Sequence, residues 1–345
     1  MTRAEGRLPD ERLRDEVAAV LYLTEDDVTR LVDMPSALSV TERALAALAR
    51  GEADNVPRMR ARGPAIVLHT MSATAGYLGF SGWKNYTTTP LGARFLVGLH
   101  ENTAGRLVAL LEANRLGQVR TGAVTGVAVR YLAPPDVDEL GLFGTGWQAE
   151  AQLAAVAAVR PLRRVLVYSR SAERREAFAR KMSERLLLEV TPVTVPQHAV
   201  SGLPLVVTAT SSRTPVFDGT WLADGAMVCA IGSNWLDRAE LDATTFRRVQ
   251  RVVCDSVAAC RHEAGDLAQA VAAGVWDWTA AGELGAVVAT GREASTGGLT
   301  VFKSVGMALA DVALGVHLVR QAQEQRLGLI LPVEEGFRGL PPARV

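Results

Sequence analysis

Charge of one sign, cysteine, aromatic rings and long apolar runs are all scarce in this 345-residue chain. Lys+Arg and Asp+Glu number 37 each, giving a formal net charge of +0, which removes the electrostatic case for nucleic acid or an anionic membrane surface as partner. No apolar stretch reaches the about 18 residues that mark a membrane helix. The charged start MTRAEGRLPDERLRDE leads into no hydrophobic segment of a secretory signal. The three cysteines, Cys229, Cys254 and Cys260, form no CxxC pair. They sit in or beside short apolar runs and read as buried, inert thiols of a reduced, cytoplasmic protein. Five histidines show no metal-ligand spacing and no HExxH, and no GxSxG elbow is present, so neither a metal centre nor acyl transfer is indicated. What is plentiful is hydrophobic material, 48% of the chain, enough for two domains at about 100–200 residues each.

The texture changes twice along the chain. After a polar stretch over residues 1–16, the segment from Leu21 predicts a short strand and then helices, with Thr24 as N-cap ahead of Glu25, Asp26 and Asp27. A second helix is expected at about Met34–Ala49. From Val56 to Leu111, short apolar or alternating runs between Gly-, Thr- and Asn-rich turns predict an antiparallel or mixed sheet. A small-residue helix at about Gly117–Leu132 stops at Pro134 and Pro135. Beyond it ELGLF, RRVLVYS, LPLVVTAT, MVCAIGS and RVVCDS alternate with helical segments. That is the pattern of an α/β, doubly wound parallel sheet. A helix at about Ser304–Glu324 closes the chain, and the tail LILPVEEGFRGLPPARV reads as surface coil.

The most informative motif is Gly144-Thr145-Gly146-Trp147-Gln148-Ala149, a GxGxxA set between the strand ELGLF and an alanine-rich helix. In a dinucleotide-binding turn the first glycine permits the tight bend and the second lets backbone approach a pyrophosphate. The third position, here alanine, keeps helix and strand close, and the helix N-terminus receives the anion. The next strand ends 25 residues past the first glycine at Ser169-Arg170-Ser171, with Arg174 one turn on. An NAD-preferring site commonly carries an acid there. Hydroxyls and guanidinium groups suit a 2′-phosphate, so NADP(H) is favoured and NAD(H) remains possible; the same residues would also serve as a helix cap and surface face.

Arg58, Lys84 and Arg120 sit among small or apolar neighbours rather than in runs of surface charge. A buried charge without a partner is costly, so each needs a counter-ion or a bound anion. If they converge, they would clamp a carboxylate; taken singly, each could equally be an ordinary ion-paired residue. Arg163, Arg164, Arg174, Arg175, Arg247, Arg248 and Arg251 read as solvated faces. His69, Met71, Trp83, Tyr86 and Trp235 are candidates for shaping a pocket, or are plain core residues.

These motifs in this order resemble the ornithine cyclodeaminase/mu-crystallin family from about Leu21 to Arg320. The resemblance is carried by Val-Pro-Arg58, Gly-Trp-Lys84, Val-Arg120-Thr-Gly-Ala, the Gly144–Ala149 turn, Thr-Ala-Thr210, Gly232-Ser-Asn234 with Glu240-Leu, and Thr300-Val-Phe-Lys-Ser-Val-Gly306. It implies a substrate-binding and dimerisation domain over 1–125, joined by a C-terminal helix at about 304–330, and a Rossmann domain over 126–303, in a homodimer. It places the carboxylate clamp on Arg58, Lys84 and Arg120, with Met71 beside it. Dinucleotide contacts fall on Thr121, Gly144, Thr145, Gly146, Gln148, Ala149, Ser169, Arg170, Ser171, Arg174, Thr208, Thr210, Gly232 and Ser233. Where cyclodeaminating members carry an aspartate, this chain has Asn234, and an amide cannot act as a general base. The expectation is therefore an NAD(P)H-dependent oxidoreductase acting at the α-carbon of a small amino or imino acid. Lys84 or an Asn234-held water would supply the proton, and Glu112 would serve as an acid or orient the clamp. The alternatives are an ornithine cyclodeaminase-type lyase using NAD⁺ catalytically, and a binding protein for NADP(H) and a small acid.

Overall fold

The computed structural model describes residues 18–291 and 297–333; residues 1–16 and the tail beyond Val333 lie outside that range. In chain order the elements are β1 (Ala18–Leu23), α1 (Glu25–Leu31), α2 (Met34–Ala49), β2 (Asp54–Asn55), β3 (Met59–Arg62), β4 (Val67–Ala75), β5 (Phe80–Thr89), β6 (Gly92–Glu101), β7 (Leu107–Glu112), α3 (Asn114–Leu132), β8 (Glu139–Phe143), α4 (Trp147–Ala157), β9 (Arg164–Tyr168), α5 (Ala172–Leu186) and β10 (Glu189–Pro192). There follow β11 (Leu205–Thr208), β12 (Met227–Ala230), α6 (Ala243–Arg248), β13 (Arg251–Cys254), α7 (Val257–Glu263), α8 (Gly265–Ala272), β14 (Ala281–Glu283), α9 (Leu284–Thr290), β15 (Thr300–Lys303), α10 (Ala308–Gln325) and β16 (Leu329–Val333).

Two eight-stranded sheets organise the described residues. The first runs β16-β1-β7-β6-β5-β4-β2, with β3 also paired to β4. It is antiparallel except where β1 lies parallel to β7. The segment expected as terminal coil is in part a strand: β16 pairs antiparallel with β1, Leu21 opposite Ile330. The β16 run LILPV gave no such signal, because its partner lies some 300 residues away. The second sheet, β10-β9-β8-β11-β12-β15-β13-β14, is parallel throughout. Its strands are short and largely buried, as a sheet covered on both faces requires. Strand β8 has β9 on one side and β11 on the other, and that reversal is where an open α/β sheet binds its ligand.

Local chemistry fixes the helix ends. Thr24 and Asp27 form the capping box of α1. Helix α3 begins at Asn114, earlier than its small-residue pattern suggested, because the Glu25 carboxylate accepts from the backbone N–H of Asn114 and Arg115. Gly122 lets α3 meet α4, since a Cβ there would stand 2.4 Å from the Ala151 carbonyl. Helix α10 packs on α2, α3 and β4–β6, and one hydrophobic cluster runs from β1 and α1 through α3, β8 and α4 to α10. It starts at Ala308 rather than near Ser304, because the backbone N–H groups of Val305 and Gly306 donate to Asp255 and hold that turn out of the helix.

Candidate active site

A cavity of about 930 Å³ opens between the two sheets, at the C-terminal ends of β8 and β11, within the size range of ligand pockets. At one end is the glycine turn. Gly144 has φ +105°, and a Cβ on it would meet the Ala209 carbonyl at 2.3 Å, so only glycine fits. Gly146 is the N-cap of α4, and a Cβ there would meet nothing within 4 Å, which leaves its backbone face open to a ligand. First-turn N–H groups of a helix have no intrahelical partner and can donate to an anion. These features fit the pyrophosphate of a dinucleotide.

Thr145, Ser169, Arg170, Ser171 and Arg174 line the next stretch. Ser171 is the N-cap of α5, accepting from the Arg174 N–H at 3.3 Å. Arg170 and Arg174 are exposed. Arg175, expected on a solvated face, is instead buried and donates to the Ser169 carbonyl at 2.7 Å, bracing the turn.

Thr121, Thr210 and Gly232 also line the cavity, and a buried acid arranges two of them. Glu240 is fully buried and accepts from Thr208 Oγ1 (2.8 Å), Thr210 N and Oγ1 (both 2.7 Å) and Gly232 N (2.7 Å). Burial raises its pKa, with Lys303 and the Thr210 donors opposing. Thr208 and Ser233 were expected to touch the cofactor but lie behind the lining. Thr208 is tied to Glu240, and the Ser233 hydroxyl is occupied by the Trp235 and Arg238 carbonyls.

At the other end the three clamp cations do converge, each with a carboxylate behind it. Lys84 Nζ and Arg120 Nε both donate to Asp311 Oδ1, at 2.8 and 3.0 Å, and Asp311 is fully buried. Arg58 donates to the Glu263 carboxylate and, at 2.9 Å, to the Val305 carbonyl. Arg60 Nη1 stands 2.9 Å from the other Glu263 oxygen. Burial raises the pKa of Glu263 despite Arg58 and Arg60 beside it. Around Gly306 (φ +88°) a Cβ would lie 3.1 and 3.3 Å from the Arg120 Nη atoms and 3.3 Å from Arg58 Nη2, so the two guanidinium groups flank one small space. Arg120 Nη1 and Arg58 Nε are buried without a partner. Burial first, then Arg120 and Arg58, pull the Lys84 pKa down to about 8, with Asp311 holding it from falling further.

Met71, His69, Tyr86, Asn234 and Trp235 line the same end. The Asn234 backbone carbonyl accepts from Arg60 Nη2 at 2.9 Å. Trp83 lies outside the lining, packed beneath Gly98, where a Cβ would meet its ring at 2.3 Å. Glu112 is not in the cavity. Its carboxylate accepts from the Tyr22 hydroxyl (2.9 Å) and the Glu25 N–H (2.7 Å), so it holds the start of α1 and orients no clamp residue. The cavity's described lining contains six cations, Arg58, Lys84, Arg120, Arg170, Arg174 and Arg238, and no Asp or Glu. No cluster able to hold a metal occurs among the described residues, and no described helix is long and apolar enough to cross a membrane. The three thiols are buried and free, and burial pushes those of Cys229 and Cys260 up.

A parallel sheet with a glycine turn at its switch point, facing a cationic clamp built from Lys84 of β5, Arg58 just ahead of β3 and Arg120 of α3, defines a dinucleotide-dependent oxidoreductase. The profile of the ornithine cyclodeaminase/mu-crystallin family matches residues 19–326, and the chain belongs to that family. It is 35% identical over 237 residues to a Delta(1)-pyrroline-2-carboxylate reductase of Bacillus cereus, covering 68% of this chain and 72% of that one. Among solved structures it is similar to the Thermococcus litoralis Delta(1)-pyrroline-2-carboxylate reductase in complex with NADH and L-proline, at TM-score 0.85 and 29% identity over 90% of this chain and 99% of that one. It is also similar to an archaeal alanine dehydrogenase dimer with bound NAD, at TM-score 0.85 and 27% identity over 92% of this chain and 100% of that one.

Proposed function

We propose that the protein reduces a small α-imino carboxylate, a cyclic ketimine or the adduct of an oxo acid with an amine, using NADPH in preference to NADH. The observation that carries this reading is the charge of the cavity: six cations and no acid in its described lining. Such a lining accepts the phosphates of a dinucleotide and the carboxylate of a substrate. It also repels a side-chain ammonium and offers no carboxylate as general base, which disfavours cyclodeamination of a diamino acid.

Arg58 and Arg120 hold the substrate carboxylate in the space before Gly306, with Lys84 beside them and Met71 as an apolar wall. When bound, the nicotinamide supplies or takes up the hydride at the α-carbon. Lys84 keeps a proton at neutral pH, with a pKa low enough to release it to the imine nitrogen. The Asn234 side-chain amide orients a water or the substrate nitrogen. At the far end Thr121, Thr145, Gln148 and Thr210 line the dinucleotide path, with Ser169, Arg170, Ser171 and Arg174 receiving a 2′-phosphate; no acid at that turn favours a bare ribose hydroxyl.

The chain acts as a homodimer in this reading. The relative's dimer supports it, as do the exposed Leu68 and Leu96 on the outer face of β4 and β6. Three free, buried thiols suit a reducing compartment, the cytoplasm. Lys84→Ala and Arg120→Ala test the clamp: both should abolish NADPH oxidation while leaving dinucleotide affinity within a few-fold. Retained turnover in either would overturn the assignment.

A further inference from the structure

The face of the first sheet that carries Lys84 continues past the clamp. Strand register sets Met71 opposite Lys84, then His69 opposite Tyr86 and Tyr86 opposite Phe95, then Thr88 opposite Ala93. Side chains two residues apart share a face and lie roughly 7 Å apart along the strand. All seven line the cavity. Exposure rises outward along these rows: Lys84 is buried, Tyr86 and Phe95 are half-buried, and Thr88 and Ala93 are exposed. The cavity floor is thus a shelf leading from the clamp to the mouth.

Aromatic rings pave the middle row. His69 stacks on Tyr86 with centroids 4.0 Å apart, Tyr86 stacks on Phe95 at 4.7 Å, and Trp235 meets His69 edge-on at 6.0 Å. The Arg60 and Arg62 guanidinium groups lie 4.3 and 4.8 Å from the Trp235 ring, fixing it as a side wall. Lys84 Nζ is 5.0 Å from the Phe95 centroid, so the shelf begins directly beside the clamp. His69 is 2% exposed, and its Nδ1 has no partner, while Nε2 meets the Thr88 hydroxyl at 3.2 Å. Burial, then Arg60, Arg58 and Arg62, lower its pKa to about 4, so the ring is neutral at physiological pH.

A pocket made only for a methyl side chain or a bare five-membered ring needs no such floor. We propose that the shelf formed by His69, Tyr86, Phe95 and Trp235 is a side-chain subsite for an uncharged, ring-bearing substituent, so that the preferred substrate is an aryl-substituted α-imino acid. This rests on the carboxylate clamp proposed above. His69 and Phe95 cover the two faces of Tyr86 from the flanking strands, so a flat ring laid across the row meets ring edges, in the edge-to-face arrangement that aromatic pairs favour. The open end at Thr88 and Ala93 leaves room for length.

The test is calorimetric binding of L-phenylalanine, L-alanine and L-aspartate to the full-length protein with saturating NADP⁺, and NAD⁺ in parallel. L-Phenylalanine should bind at least about tenfold tighter than L-alanine, which corresponds to 1.4 kcal/mol. Phe95→Ala, at a half-buried position, should reduce that ratio to under about threefold. The ratio of kcat/KM for phenylpyruvate over pyruvate, each with methylamine, should fall in the same variant. Equal binding of L-phenylalanine and L-alanine, or tighter binding of L-aspartate, overturns the shelf and leaves the clamp standing. Binding of none of the three overturns the clamp itself, and the shelf with it.

Discussion

Asp311→Asn probes the clamp from behind. In the native protein one carboxylate oxygen takes the bonds of Lys84 and Arg120, at 2.8 and 3.0 Å, where all three side chains are buried. The amide oxygen of the variant can still accept a bond, but two buried cations lose their counter-charge. Breaking a buried pair on one side costs about 3–5 kcal/mol, a large part of the roughly 5–15 kcal/mol that holds a domain folded. The pH dependence gives the loss a signature. The Lys84 pKa is lowered from 10.5 to about 8 in the folded chain. Between those values the unfolded chain binds the extra proton, so stability rises with pH across that window. Asp311 opposes the lowering, so its removal extends the window to lower pH. Urea denaturation from pH 6 to 10 should show the deficit of the variant largest near neutrality and shrinking as Lys84 becomes neutral in both proteins. A deficit below about 1 kcal/mol at pH 7, or one that grows with pH, would refute the reasoning.

Other outcomes follow from the same geometry. Gly306→Ala places a methyl group between the Arg120 and Arg58 guanidinium groups at φ +88°; it should raise KM for the carboxylate substrate by about tenfold or more, measured beside an unchanged Kd for dinucleotide. In Arg170→Ala, KM for NADPH should rise far more than KM for NADH, and equal losses would contradict the phosphate assignment. Glu240→Gln replaces an acid that accepts four bonds with an amide that can accept at only one atom; dinucleotide affinity should fall by about tenfold as the Thr210 and Gly232 turns loosen. The profile of kcat/KM against pH should decline above about 8 as Lys84 loses its proton, and a profile flat to pH 9.5 would remove Lys84 as proton donor.

The parts of this site written in local sequence were legible, and those written across the chain were not. The strand–glycine turn–helix unit at Gly144 carries its own signal, since backbone conformation and helix start are decided within a few residues. The cations Arg58, Lys84 and Arg120 stood out because each sat in an apolar context, and each does have a buried partner. The partners themselves were missed. Asp311 is the single acid in an apolar helical run, MALADVALGV, and that isolation was a usable sign of a buried counter-ion. Glu263 lies in RHEAGD among other polar residues and gives no sign. Glu240 was noticed in its motif, but its task of tying Thr208, Thr210 and Gly232 together is visible only when β11 and β12 lie side by side. Glu112 misled because proximity in sequence to Arg120 says nothing of direction: it ends β7 facing α1, away from the cavity. The aromatic shelf depends on the register of β4, β5 and β6, which turns and spacing alone do not settle.

The most direct test of the central claim is one assay run two ways on the purified protein. Cyclic ketimine carboxylates and oxo acid–amine pairs are offered with NADPH or NADH and followed at about 340 nm, the absorbance of the reduced nicotinamide. Ornithine and lysine are offered with NAD⁺ and assayed for ammonia. The account predicts NADPH oxidation in step with imine consumption, and no ammonia from either diamino acid. Ammonia released without net change in the cofactor would contradict it, because a cavity lined by six cations and no acid would then have accepted a side-chain ammonium and found its base elsewhere.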